Sequence, residues 1–148
     1  MTGHDTRQGW MGLLARAPAK ALDEVWTAFG VEPAFTWLRP PETGGVMVRG
    51  RMGGTGAAFN LGEMTVTRCA LRLAEGGAVG HAYVQGRDKA KARQAALVDA
   101  LMQTERAGAC RERVLGPLAA QMEAARRARA ARAAATRVEF FTMVRGED

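Results

Sequence analysis

The chain reads as an α+β domain: an antiparallel sheet of about four strands, arranged as a meander, with helices at the N-terminus and a helical C-terminal half packed on it. Three observations predict this. Residues 6–29 carry apolar side chains at helical spacing, residues 35–85 alternate apolar and polar positions between Gly- and Pro-rich turns, and the sequence after Asp88 returns to helical spacing. The strand segments are joined by connections shorter than the dozen or so residues a parallel crossover needs, so hairpins are expected. At 148 residues the chain is one domain, 1–148, large enough to bury a core.

Thr6 or Asp5 caps a first helix over roughly 6–17 that carries Trp10, Met11, Leu13 and Leu14. Pro18 suits the first position of a second helix, over roughly 18–29, whose Leu22, Val25, Trp26 and Phe29 share one face, and Gly30 ends it. Phe35 and Trp37 begin the strand signals, and Pro40-Pro41-Glu42-Thr43-Gly44-Gly45 reads as a turn-rich connection. Val46, Val48, Gly50 and Met52 fall on one face of the next strand, with Arg49 and Arg51 on the other. In the third strand, Met64 to Ala74, Val66 is out of phase with Cys69, Leu71 and Leu73. That pattern calls for a bulge or for cover on both faces. Glu75-Gly76-Gly77 is a hairpin turn into a fourth strand, Ala78 to Gln85. Asp88 caps a helix to about Glu105, with Leu97, Val98, Leu101 and Met102 as its apolar face and Lys89, Lys91, Arg93 and Asp99 on its wet side. Gly108 breaks that helix, a further helix starting near Cys110 is interrupted by Gly116-Pro117, and Pro117 opens an Ala-rich helix to about Ala135 that carries Arg126, Arg127, Arg129 and Arg132.

Composition narrows the function classes. The formal charge is +6, with 18 Arg against 3 Lys. Arg forks suit carboxylate, phosphate or nucleic acid. A vocabulary with no Ser and no Ile also looks shaped by GC-rich coding, which would explain the Arg excess without a function. The absence of Ser excludes a serine nucleophile. Cys69 and Cys110 have no metal-type spacing, and a disulfide is not expected in a reducing compartment. His81 lies in a strand without ligand-spaced neighbours, which favours a structural or interface role; a Cys69–His81 pair lacks a third orienting group. No stretch approaches a membrane span of ~20 apolar residues, and the N-terminus has no signal-peptide core. A cytoplasmic protein is the default.

Two segments stand out. Arg51-Met52-Gly53-Gly54-Thr55-Gly56 would let backbone N–H groups converge on an anion beside Arg51 and the Thr55 hydroxyl, so Arg51, Gly53, Gly54, Thr55 and Gly56 are the candidate anion-binding residues. It lacks the Lys and following helix of a P-loop. A tight bend between strands, or a loop that enters a partner's cleft, would use the same glycines. The second segment is the chain's last stretch, 138–148. Phe140, Phe141, Met143 and Val144 make it apolar where termini are usually polar, so it must dock on its own domain or on another chain.

Several strings occur in one order: Arg7-x-x-Trp10-Met11, Glu42-Thr43-Gly44, Arg51-Met52-Gly53-Gly54-Thr55-Gly56, Gly62-Glu63 with Thr67-Arg68, Gly86-Arg87-Asp88, Asp99-Ala100-Leu101-Met102 and Phe140-Phe141-Thr142-Met143-Val144-Arg145-Gly146. Together they resemble the PhnG family, subunits of the bacterial carbon–phosphorus lyase system, over about Arg7 to Asp148. The resemblance implies an accessory or structural subunit of a core complex with PhnH, PhnI and PhnJ, active in phosphonate catabolism. With PhnI, PhnH and the ATP-binding-cassette-like PhnL, such a subunit supports displacement of adenine from ATP by methylphosphonate, giving α-D-ribose 1-methylphosphonate 5-triphosphate. PhnI is thought to hold that chemistry, and PhnJ, a radical S-adenosylmethionine protein, cleaves the carbon–phosphorus bond later. ATP is then a substrate of the complex, and no catalytic residue or cofactor is implied for this chain. On this reading Trp10, Met11, Phe140, Phe141, Met143 and Val144 face a partner subunit. The alternative is a basic nucleic-acid-binding module, whose Arg run at 126–132 is not interleaved with aromatics and suits a solvated helix equally well.

Overall fold

The structure, a computed structural model, describes residues 3–51 and 54–145, the side chains of Asn60 and of 138–145 excepted. Two helices, α1 (Arg7–Arg16) and α2 (Ala19–Phe29), precede the strands β1 (Phe35–Arg51), β2 (Ala58–Leu73) and β3 (Val79–Gln85). Then come α3 (Lys89–Leu101), a short α4 (Ala107–Cys110), a π-helical turn (Arg111–Leu115) and α5 (Gly116–Arg145). Thr6 caps α1 by accepting a hydrogen bond from the Gly9 N–H at 3.1 Å, and Asp88 caps α3 through the Lys91 N–H at 2.9 Å. Pro18 takes the cap position of α2, and a left-handed Gly30 closes that helix.

The sheet is an antiparallel meander in the order β1-β2-β3. All four strand segments expected from the sequence are present, but the first two run together as β1. Register shifts on both sides of Arg39 take up Leu38 and the Pro40-Pro41 pair, and β1 is an edge strand. A proline there need not donate to a neighbour, which is why the turn-rich string does not turn the chain. Gly76 and Gly77, at φ 74° and 71°, make the tight β2–β3 hairpin turn that L side chains resist. The out-of-phase Val66 needs no bulge against β3, since pairing is regular from Val66↔Gln85 to Arg72↔Val79. Val66 and Thr67 are both buried, so the sheet is covered on both sides at that point.

The core lies between the inner face of the sheet and the helices. Phe35 and Trp37, in edge-to-face contact at 4.9 Å, join Cys69, Leu71, Leu73, Ala82 and Val84 against α3, with α1 and α2 flanking. Gly80 sets the spacing between β3 and α3: a Cβ there would collide with the Ala96 carbonyl oxygen. Helix α3 departs from the sequence reading. Lys91 and Asp99, expected on its wet side, are buried at 6% and 0% exposure, and the helix is enclosed almost all round from Lys91 to Met102. Helix α5 departs in the other direction. Its first turns are anchored by Leu118, but residues 123–137 are all exposed, and it continues ten residues beyond the expected end at Ala135. At 1.5 Å per residue it is ~45 Å long, and half of it, residues 123–137, is exposed.

Candidate functional site

The glycine loop is the tip of a long hairpin. β3 pairs with β2 only from Val66 to Arg72, whereas β1 and β2 stay paired out to Arg51↔Ala58. The segment beyond β3 is therefore a two-stranded arm. At its tip Arg51, Gly54 and Thr55 are exposed and Gly56 is half-buried; Met52 and Gly53 lie outside the described residues. Gly54 has φ 79° and open space where a Cβ would stand. Arg51 and these backbone groups are held well away from the domain core.

The densest polar centre is elsewhere, at a place that sequence spacing does not mark as a site. The fully buried Asp99 carboxylate accepts four hydrogen bonds: from Arg7 Nε at 3.1 Å and Nη2 at 2.9 Å, Trp10 Nε1 at 2.8 Å, and the His81 backbone N–H at 2.9 Å. It ties α1 to α3 and caps the outer edge of β3. The hydrogen bond to Asp99 holds the Arg7 pKa above its ordinary value, against a smaller opposing effect of burial. Lys91 donates to the Ala15 carbonyl at 3.0 Å, near the end of α1, and burial pulls its pKa down, partly offset by Asp88. The only signal in the sequence is the pair of strings Arg7-x-x-Trp10 and Asp99-Ala100-Leu101-Met102; nothing in helical periodicity says that a lone Asp will be satisfied by four donors.

The other candidates resolve by position. Trp10 is 8% exposed and bonded to Asp99; Met11 is half-buried beside His81 and Tyr83. Cys69 faces inward and donates to the Ala92 carbonyl at 3.3 Å, while His81 is exposed and directly opposite Ala70 on the outer face, so the two do not meet. Burial raises the Cys69 thiol to about 11 and the Cys110 thiol to about 12, leaving both protonated and unreactive at neutral pH. Among the described residues no group of three His, Cys, Asp or Glu is placed to hold a metal, and no helix is long and apolar enough to cross a membrane. A cleft of about 720 Å³ opens between the end of α2, the β2–β3 turn and the end of α3; Glu32, Glu75 and Glu105 line it, and the glycine loop does not. The Arg126 fork is taken up by Glu123 at 3.0 and 2.8 Å on an exposed helical turn. The side chains of Phe140, Phe141, Met143 and Val144 lie outside the described residues; the backbone that carries them is the last part of α5.

The class that the fold and its polar centre define is a small α+β protein whose densest polar group is spent on holding the fold. The chain belongs to the PhnG family, since the family described as "Phosphonate metabolism protein PhnG" matches residues 5–146. It is 50% identical over 142 residues to the alpha-D-ribose 1-methylphosphonate 5-triphosphate synthase subunit PhnG of Rhizobium meliloti (strain 1021), across 96% of this chain and 90% of that protein.

Proposed function

We propose that this chain is an assembly subunit of an α-D-ribose 1-methylphosphonate 5-triphosphate synthase in phosphonate metabolism. It works in a complex with PhnI, PhnH and PhnJ, assisted by PhnL in the synthase reaction, with ATP and methylphosphonate as substrates of the complex. It brings no complete active site of its own. The observation that carries this reading is the 50% identity to a synthase subunit along almost the whole of both chains. The structure is compatible in a specific way: its best-organised polar residues, Arg7, Trp10 and Asp99, are consumed by internal bonds. The apolar string Phe140 to Val144 at the end of α5 is the segment we assign to a partner.

The test is co-expression of the tagged chain with the PhnH, PhnI and PhnJ candidates of its host, with recovery at high salt and assay of triphosphate formation. A stable complex is expected, and deletion of 138–148 releases the subunit. A folded chain that recovers none of them refutes the assembly role, and a truncated chain that assembles with full activity refutes the role of the tail. Whether the arm's tip contacts the triphosphate is read separately. Arg51→Ala is expected to lower turnover with assembly intact; normal turnover would make the glycine loop a bend and nothing more.

A further inference from the structure

The outer face of the sheet presents mostly exposed side chains near its base, with Val66 buried among them. The inner face is fixed by the buried Cys69, Leu71, Leu73, Ala82 and Val84, and directly paired residues point to the same side. The outer face near the base therefore carries Arg39, Arg68 and Arg72. Arg39 and His81 flank Ala70 across the strands, and Arg68 and Arg72 stand two residues to either side of it along β2. Against three guanidinium groups the face holds one carboxylate, Glu42, which lies 3.8 Å from Arg68.

Along the arm the same face changes character. Its outward positions are apolar: Val46 opposite Met64, then Val48, then Phe59 opposite Gly50, with Leu61 lying across Gly50 so closely that a Cβ there would come within 2.8 Å of its Cδ1. On the arm Phe59 is 42% exposed and Leu61 62%, and at the base Tyr83, opposite Arg68, is 48% exposed. These are three of the five large hydrophobic side chains exposed among the described residues; Met47 is on the other side of the arm. A water-facing side of an antiparallel sheet ordinarily shows polar residues at these positions. A two-stranded arm is also marginal without something to pack on.

We propose that this face docks an acidic, amphipathic segment of another subunit of the complex, its apolar residues on Phe59 and Leu61 and its carboxylates on Arg39, Arg68 and Arg72. The inference deepens the assembly reading and rests on it. Charge complementarity fixes the chemistry of the occupant: the unbalanced cations sit at one end of an otherwise apolar strip, so the segment is apolar toward the arm's tip and acidic toward its base. Arg and Tyr beside large apolar side chains are also the residue types that dominate binding energy at interfaces.

Two double variants test it in the full chain, co-expressed with the host's other synthase subunits: Phe59→Ser with Leu61→Ser, and Arg68→Glu with Arg72→Glu. All four side chains are exposed, so the isolated variants are expected to keep the wild-type melting temperature and circular dichroism. Each is expected to weaken complex recovery by on the order of tenfold or more. A photo-crosslinking residue in place of Leu61 is expected to capture a partner peptide in which Asp or Glu adjoins apolar residues. If the serine variant fails to fold, the charge-reversal variant and the crosslink decide. Variants that assemble like wild type would leave the assembly reading standing and overturn this one, whereas a wild-type chain that recovers no subunit overturns both. Self-association of the pure chain that both variants abolish would make a second copy the occupant. Salt-sensitive RNA binding lost with the two arginines would make it a polyanion. Either result overturns the proposal.

Discussion

Replacing Asp99 by alanine removes the acceptor of four hydrogen bonds at a point with no access to water. The donors do not lose equally. The Arg7 side chain is 46% exposed and can turn to solvent, so its share of the ion pair is small. Trp10 is only 8% exposed, and its indole N–H, like the His81 backbone N–H at the edge of β3, has no other partner among the described residues. Each such donor left unsatisfied costs roughly 1–3 kcal/mol. The expected loss for Asp99→Ala is about 2–6 kcal/mol, carried by these two buried donors. In a chain of this size that lowers the melting temperature by about 10 °C. Asp99→Asn keeps the shape but puts an amide N–H₂ where two of the donors expect oxygen, and it should fall between wild type and alanine. The assay is guanidinium unfolding followed by tryptophan fluorescence, with Arg7→Ala as a reference for the exposed part of the pair. If Asp99→Ala lies within about 0.5 kcal/mol of wild type, an ordinary surface effect, the centre does not hold α1 on α3 and the reasoning is wrong.

Two further outcomes are expected. Burial raises the thiols from the ordinary 9.0 to about 11 for Cys69 and about 12 for Cys110. Above pH 9 the unfolded chain therefore releases protons that the folded chain keeps, and stability falls as the pH rises from 9 toward 11. Cys69→Ala with Cys110→Ala should flatten that slope in unfolding curves measured across the range; an unchanged slope would show that the thiols are not its source. Residues 124–137 are all exposed, so removing them with the rest of the C-terminus should leave the truncated domain unfolding within about 0.5 kcal/mol of wild type while its helical circular dichroism drops. A large loss of stability would mean that α5 packs on its own domain.

Much of the fold is legible in the sequence because it rests on local chemistry. Thr6 and Asp88 as caps, Gly30 as a helix end and Gly76-Gly77 as a turn reflect what those side chains, or their absence, permit. The features that escape sequence reading depend on long-range partners. Lys91 and Asp99 read as solvent-facing because charge usually is, yet Ala15 and the Arg7–Trp10 pair meet them inside. Pro40-Pro41 reads as a break, but only the sheet order reveals that β1 is an edge where proline is harmless. The Ala/Arg helix outruns its expected end at Ala135, where the Ala-rich run stops, because no Gly or Pro breaks the sequence before Gly146. The candidate site divides in the same way. The glycine loop as a bend between strands is open to sequence reading, whereas Trp10 on a short amphipathic helix looks the same whether its own core or a partner receives it.

The remaining strings converge where the arm leaves the sheet, and this gives a last test. Thr67 is fully buried, and its hydroxyl donates to the Gly86 carbonyl at 2.7 Å. That uses its single proton, so in the 3.0 Å contact between Thr43 and Thr67 the Thr43 hydroxyl is the donor. Gly86 N–H in turn donates to the Thr65 carbonyl at 2.9 Å, just past the end of β3. One buried relay thus joins Glu42-Thr43-Gly44, Thr67-Arg68 and Gly86-Arg87-Asp88, holding all three strands at the root of the arm. Thr67→Val keeps the volume and removes both hydrogen bonds, leaving the Gly86 carbonyl without its hydroxyl donor. The expected cost is about 1–2 kcal/mol. The more specific readout is amide exchange: protection across 58–65 should fall while α3 stays protected, because only the arm depends on the relay for its anchorage. Equal loosening of α3 would show that Thr67 merely stabilises the domain. Unchanged exchange in the arm would show that its pairing to β1 is sufficient. If the arm alone loosens, assembly should weaken in parallel with Phe59→Ser and Leu61→Ser although Thr67 touches no partner, because a docking face has to be held in place before it can be recognised.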